Sequence, residues 1–524
     1  MGIPFGPAGR HVLLLLGAIL GVGLAIRLSL AYVLLPVSGF YFDVPAFASW
    51  ALSLAYHGPG PYYETAGFAD YPPGFLLILW PLGWLSLQIA PNDELTTRLL
   101  VKLPAILADG VLAFVAWLVV RRQAGERAGL IAAGLYTLNP MTWFDSAVWG
   151  QVDSIGTLVL FLTIVSLGAG RSELAVFLAA LAILIKPQYA IVAPVVAVVV
   201  LRRHLFQPPE ASADSTGGPL DRLRRLGSLR LATSLLAGAL PAYAILALFQ
   251  QTPFEFIEHM RKTADQYPYA SMNAFNPWAV FSVAVGAEVT HPLQAVPWLW
   301  DQEPIVGAVT PYLVGIALFV LASVPVVARL AVRQDRRTLW ICTSAFALAL
   351  FIILTRMHER YAFPFFALAL PLAATSPRWL VCYLVLSVTC FANVYAVYSL
   401  PLLHNAGSFR SELLDNTLFS SSGIIALSVV NTVALLWILG EAMPRRALAG
   451  ARLQRGDGPS RWLGRLAVSP RWQSSEDGVG FGVQLASGGK LLQGLRSLPQ
   501  SLVRSPQLKS SVGVTRGELD GTPQ

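Results

Sequence analysis

The sequence predicts an all-α, polytopic membrane protein of about twelve transmembrane helices, and three observations carry that expectation. Of 524 residues, 55% are hydrophobic and only 13% are charged, about half the charged share of a soluble domain. Mean hydropathy is +0.59. Charge is also patchy: the windows 12–34, 102–120, 231–249, 308–328, 339–355, 379–397 and 420–440 are long and apolar, each able to cross a hydrocarbon core of about 30 Å. One such window fits a buried helix of a large soluble protein. So many together do not, because a soluble fold of this size needs a charged surface.

The first element is the apolar run after Arg10-His11. It is too long for the core of a cleaved signal peptide, and it ends at the aromatic Phe40 to Phe42, as an interfacial boundary does. Gly6 stands where N-myristoylation needs Ser or Thr. A long outer loop follows, about 35–101. Within it the run 74–90 is interrupted by Pro81 and carries Trp80 and Trp84, which suits an interfacial or re-entrant helix. The window 102–120 then leads to Arg121-Arg122. Helices near 128–146 and 154–170 form a hairpin, the first broken at Asn139-Pro140. A shorter pair near 173–187 and 188–201 flanks Lys186-Pro187 and ends at Arg202-Arg203. A polar linker, about 202–230, precedes the crossing at 231–249. An external loop, about 250–307, carries a second re-entrant piece at 275–287. Windows 308–328, 339–355, 361–376, 379–397 and 420–440 complete a membrane domain of residues 1–441. Residues 442–524, rich in Gly, Ser, Arg and Gln, read as a mostly disordered cytoplasmic tail.

The net charge is +8 and the pI about 9.5, yet placement argues against nucleic acid as a partner. The basic runs around Arg121, Arg202, Arg222 to Arg230, Arg329 to Arg337 and Arg445 sit at helix ends, the positive-inside pattern of a cell-membrane protein. Holding them all on one side puts both termini inside and the 35–101 and 250–307 loops outside. Cys342, Cys382 and Cys390 lie within apolar windows and read as core residues rather than a disulfide framework.

Four outer segments concentrate the polar residues. The first holds Asp43 in Tyr41-Phe-Asp-Val-Pro45, then Glu64, then Asp70 in Asp70-Tyr-Pro-Pro73. The second runs from Asn139-Pro140 through Asp145 to Gln151-Val-Asp153. The third includes Arg261-Lys262, and the fourth is Arg356-Met-His-Glu-Arg360. Charge at such positions is costly unless it lines a cavity or does chemistry. Simpler roles fit each alone: Asp43 as a helix cap before Pro45, Asp70-Tyr-Pro-Pro as a stiff turn, Lys186 as a snorkelling end, and 356–360 as an exposed salt-bridged turn. Together they offer carboxylates beside aromatics, which suit sugars and isoprenoid chains, and cations that suit a phosphate. No Walker loop, HExxH, Cys/His zinc spacing or Ser/His/Asp motif is present, and no metal site is expected.

In this order the motifs resemble the GT-C superfamily of glycosyltransferases that use polyprenyl-phosphate sugars, in particular bacterial relatives of the GPI-anchor mannosyltransferases and N-glycan-precursor glucosyltransferases. The resemblance covers about 12–440. It rests on Asp43 early in the first outer loop, on Asp70 to Pro73, on Asn139-Pro140 followed by Gln151-Val-Asp153, on Lys186-Pro-Gln188, and on His358-Glu-Arg360. It implies an inverting hexosyltransferase, mannose or glucose the expected sugar, acting on the extracytoplasmic face without a cofactor. The donor would be a polyprenyl-phosphate sugar, and the acceptor a glycan, lipid or protein. Asp43 would be the catalytic base. Asp70, Tyr71, Gln151, Asp153, Lys186, Arg261, Arg356, His358 and Arg360 would bind substrate, with Arg261, Arg356, His358 and Arg360 meeting the phosphate. The alternative is a transporter or flippase for a lipid-linked or anionic substrate, which predicts polar residues near the midplane and repeat symmetry; no internal repeat is evident.

Overall fold

The computed structural model describes residues 7–66, 69–91, 93–206 and 227–443. Two compact units divide the chain after Gly482, and the second, Val483–Gln524, lies outside the described residues. So do most of the expected 202–230 linker and nearly all of the expected tail.

The described residues are overwhelmingly helical, with a few isolated bridges in the loops. Eight helices are long and apolar enough to cross a membrane, and Pro73–Ile89, Asp153–Gly168 and Ser172–Ile185 are shorter apolar helices. The chain is a polytopic membrane protein. Helices occupy each window expected from sequence, but proline and glycine divide some of them. The 128–146 window becomes Glu126–Thr137, a break at Asn139, a short turn Pro140–Trp143 and a π-helical turn Phe144–Trp149. The 361–376 window becomes Phe363–Leu368 and Leu370–Ala373, because Pro371 lacks the N–H that a continuous helix needs. The first outer loop ends sooner than expected: Asp93 accepts bonds from Leu95 and Thr96 N–H and so starts the next helix at Glu94.

Burial separates core from rim. The window of Arg336–Ile353 is 78% buried, whereas those of Gly9–Leu34, Leu229–Leu248 and Pro311–Val332 are each 17% buried. The central helix therefore packs against protein all round, and the outer helices expose leucine and valine, such as Val320, Leu321 and Val324, where lipid would solvate them. Phe161 stacks on Trp340 at 4.9 Å in this core.

Helix ends define two poles. At one, Arg203 donates to the Leu167 carbonyl (2.8 Å) and Arg202 to that of Leu330 (3.2 Å), while Arg329 reaches the Glu441 carbonyl. The other pole carries the first residue of Asp153–Gly168, the last of Ser172–Ile185 and the loops after residues 57, 265 and 353. Between them lies a buried polar hub. Asp109 accepts from Arg27 Nε (2.8 Å), Tyr136 Oη (2.7 Å), Ser146 Oγ (2.6 Å) and Ser154 Oγ (2.6 Å). These bonds tie the first helix to four later segments.

Candidate active site

Asp43 opens the helix Asp43–His57, but its side chain caps nothing. Its Oδ2 instead accepts from Trp149 Nε1 (2.7 Å) and Gln151 Nε2 (2.6 Å), and Arg360 Nη2 lies 3.5 Å away. No hydrogen bond from the described residues reaches Oδ1. The clamp depends on Gly150, whose φ of +84° is a conformation that glycine adopts freely. A Cβ there would meet Val44 Cγ2 at 2.5 Å. Phe40 stacks on Trp149 at 4.3 Å and fixes the indole from behind.

Beside this clamp, Asp153 begins its own helix, fully buried. Lys186 Nζ (2.7 Å) and Gln188 Nε2 (3.0 Å) both donate to Oδ1. Lys186 is buried too, so it pairs rather than snorkels. Its ammonium lies 5.8 Å from the Tyr71 ring centre and 5.4 Å from that of Tyr361. Tyr71 donates its hydroxyl to Gln151 Oε1 at 3.1 Å, joining the Asp70-Tyr-Pro-Pro segment to the glutamine that holds Asp43. Arg360 completes the group: Nη1 donates to Glu359 (2.7 Å), and the guanidinium lies 5.1 Å over Trp149. Its Nε, 4.0 Å from Asp153 Oδ2, has no hydrogen-bond partner, and neither does that oxygen.

Asp70 lies within electrostatic reach of the same residues. Burial, then the charge of Asp43, pushes its carboxyl up to about 6, against the pull of Arg360 and Lys186. His358 packs edge-on to Tyr267 at 5.2 Å. Burial and the charges of Arg360 and Lys186 hold its imidazole well below the usual range, so near neutral pH it offers hydrogen bonds but no positive charge.

Two expected phosphate partners stand elsewhere. Arg356 has a left-handed φ of +64° and turns away from Asp43 to bind Asp301 (2.7 Å) and Asp265 (2.9 Å). It bolts the 266–310 loop to the 354–362 loop. Arg261 is exposed on Pro253–Asp265 and paired with Glu258 and Asp265, both at 2.8 Å. Asp43, Asp70, Tyr71, Gln151, Asp153, Lys186, His358 and Arg360 thus share one neighbourhood, and Arg261 and Arg356 do not.

No family model and no curated protein matches this chain. Among solved structures, the chain is similar to the ArnT of Cupriavidus metallidurans bound to undecaprenyl phosphate, at 16% identity and a TM-score of 0.40, over 86% of this chain and 80% of that one. It is also similar to the oligosaccharyltransferase of Archaeoglobus fulgidus in the apo form, at 13% identity and a TM-score of 0.38, over 92% of this chain and 63% of that one. The same enzyme tethered to an acceptor peptide overlaps at a TM-score of 0.35, with 13% identity over 89% and 60% of the two chains. These are distant likenesses of the backbone course.

The structure adds residues outside the expected catalytic and substrate-binding set. Trp149 is a direct hydrogen-bond donor to Asp43, and its place among aromatics beside Gln151 was the available signal. Glu359 is buried and engages Arg360; burial pushes its carboxyl up, and the guanidinium opposes that. Asp145 is fully buried in the π-helical turn, with neither side-chain oxygen bonded. Among the described residues no group of three or more His, Cys, Asp or Glu forms a metal-binding cluster.

Proposed function

We propose that this chain is a GT-C-type inverting glycosyltransferase of the cell membrane. It would move a hexose, mannose or glucose, from a polyprenyl-phosphate sugar to a glycan, lipid or protein acceptor on the extracytoplasmic face. One observation carries the reading: the Asp43 carboxylate is held by one oxygen, through Trp149 and Gln151, with its other oxygen unbonded, beside the buried Asp153–Lys186 pair and Arg360. A base for a hydroxyl needs that arrangement, a fixed carboxylate with one free acceptor lobe.

In the proposed reaction the acceptor hydroxyl donates its proton to Asp43 Oδ1 as its oxygen bonds the anomeric carbon. The bond from that carbon to the lipid phosphate breaks on the opposite face, which inverts the configuration. Positive charge grows on the sugar in such a transition state, and Asp43, Asp70, Asp153 and Glu359 outnumber Lys186 and Arg360 around it. The departing phosphate meets Arg360 and Lys186, both held close by aromatic rings. His358 donates or accepts a hydrogen bond there as a neutral group. Arg261 and Arg356, engaged with carboxylates elsewhere, are assigned to holding the outer loops.

The test supplies labelled polyprenyl-phosphate hexoses singly to purified protein with an extract of host lipid acceptors. Wild type should transfer one hexose, and Asp43→Asn should lose at least about a hundredfold in rate, within the range for a general base. Transfer that survives Asp43→Asn would remove Asp43 as base.

A further inference from the structure

The pole remote from Asp43 holds a second cationic feature that the proposed reaction does not use. A cleft of about 130 Å³ opens between the helices Glu94–Ala124, Asp153–Gly168 and Arg336–Ile353. Arg122 and Arg336 stand at its mouth, and Val165, Leu339 and Trp340 form its apolar wall. The stem of Arg336 lies along Gly168, where an added Cβ would come within 3.5 Å of its Cγ.

We propose that this cleft binds the headgroup of an anionic phospholipid, its phosphate between Arg122 and Arg336. Both arginines are exposed, and neither forms an ion pair with a described residue, whereas their neighbours do. Arg121 lies 3.6 Å from Glu126 and stacks on Trp117, and Arg333 lies 3.2 Å from Asp335. The nearby acids are therefore engaged by other arginines. Asp335 is further occupied as the cap of its helix, accepting from Thr338 N–H. The carbonyl end of Asp153–Gly168 would repel an anion, but Arg203 covers the Leu167 carbonyl at 2.8 Å. The cleft is thus left with two uncommitted guanidiniums, whose planar fork matches phosphate oxygens. Position selects a lipid over a free anion. The mouth lies at the ends of membrane-crossing helices and its wall is apolar, the setting in which basic pockets between such helices take lipid headgroups.

The test uses the full chain, stripped of lipid in detergent and titrated separately with phosphatidylglycerol, phosphatidylcholine and inorganic phosphate, with bound ligand read by native mass spectrometry. Phosphatidylglycerol should bind roughly tenfold or more tightly than either other ligand, and Arg122→Gln with Arg336→Gln should remove that preference, since each cation near the surface contributes measurably to anionic-lipid attraction. Arg127→Gln, a loss of charge at an exposed neighbouring position, should leave it intact. Equal binding of the two lipids, or an unchanged preference in the double variant, would overturn the proposal. Inorganic phosphate binding as tightly as phosphatidylglycerol would overturn the lipid assignment in favour of a free anion. A photoactivatable phosphatidylglycerol on the wild-type chain guards against a variant that fails to fold. Its cross-links should map to 119–123, 164–169 and 336–340, and cross-links confined to other segments would also overturn the proposal.

Discussion

Asp70 shows what burial does to a single carboxylate at this site. Folding lifts it from 3.8 to about 6, chiefly through desolvation and then through Asp43. Between those values the folded chain binds more proton than the unfolded one, so this group's contribution to stability falls as pH rises through that window. Asp70→Asn removes the dependence. Relative to wild type, the variant should gain thermal stability at pH 8, by the equivalent of about 1–3 kcal/mol, and gain much less at about pH 4, near the unfolded value. Thermal unfolding in detergent at the two pH values measures this, and an equal gain at both would show that Asp70 carries no such penalty. Asp70 and Asp43 were legible as candidates because each stands close to aromatics and proline in an otherwise apolar chain. The difference between Arg356 and Arg360 was not. Four residues apart in an irregular loop, they share a local pattern, and distant partners choose their directions: Asp301 and Asp265 draw Arg356 away from the site, while Asp43 draws Arg360 into it.

At the scale of elements, the site rests on two helices that approach unusually closely. Asp43–His57 packs on Pro73–Ile89 through Gly83, where an added Cβ would fall 1.9 Å from the Ala51 carbonyl oxygen. Backbone cannot yield as a flexible side chain can, so Gly83→Ala must part the helices. A cost of about 1–3 kcal/mol is expected for such overpacking, with a loss of the proposed transfer activity beyond what lowered folding explains, because Asp43 and Asp70 sit on the displaced segments. Transfer per folded molecule, set against Asp43→Asn as the floor, is the measurement. Activity at the wild-type level with a lowered melting point would confine Gly83 to stability. The helix 73–89 was readable as an apolar piece inside the first loop, but no periodicity in it announces the contact with Ala51.

For the whole molecule, the Asp109 hub joins the rim to the core. Arg27 reaches it across 82 positions, and Tyr136, Ser146 and Ser154 bring in the segments that continue to Gln151 and Asp153. Asp109→Ala leaves Arg27 buried without its ion-pair partner and should cost about 3–5 kcal/mol. Arg27→Met with Asp109→Leu should recover most of that loss, since an apolar pair of similar size avoids the uncompensated charge. Unfolding midpoints of the three chains decide it, and a double variant no better than Asp109→Ala would show that the hub stabilises by more than pairing its charges.

Composition and patterning by themselves determined that the chain is helical, that it is built for a membrane, and which loops concentrate charge. Those properties follow from each residue's own preference for lipid, water or a turn, and neighbours in sequence suffice to express them. Proline placement likewise announced the breaks at Asn139-Pro140 and Lys186-Pro187. Only the tertiary structure decided that Gln151, 108 positions away, grips Asp43, that Lys186 pairs with Asp153, and that Arg27 and Asp109 meet inside. Those contacts arise from how helices pack, and a lone charge in an apolar window looks the same in sequence whether its partner awaits it or not.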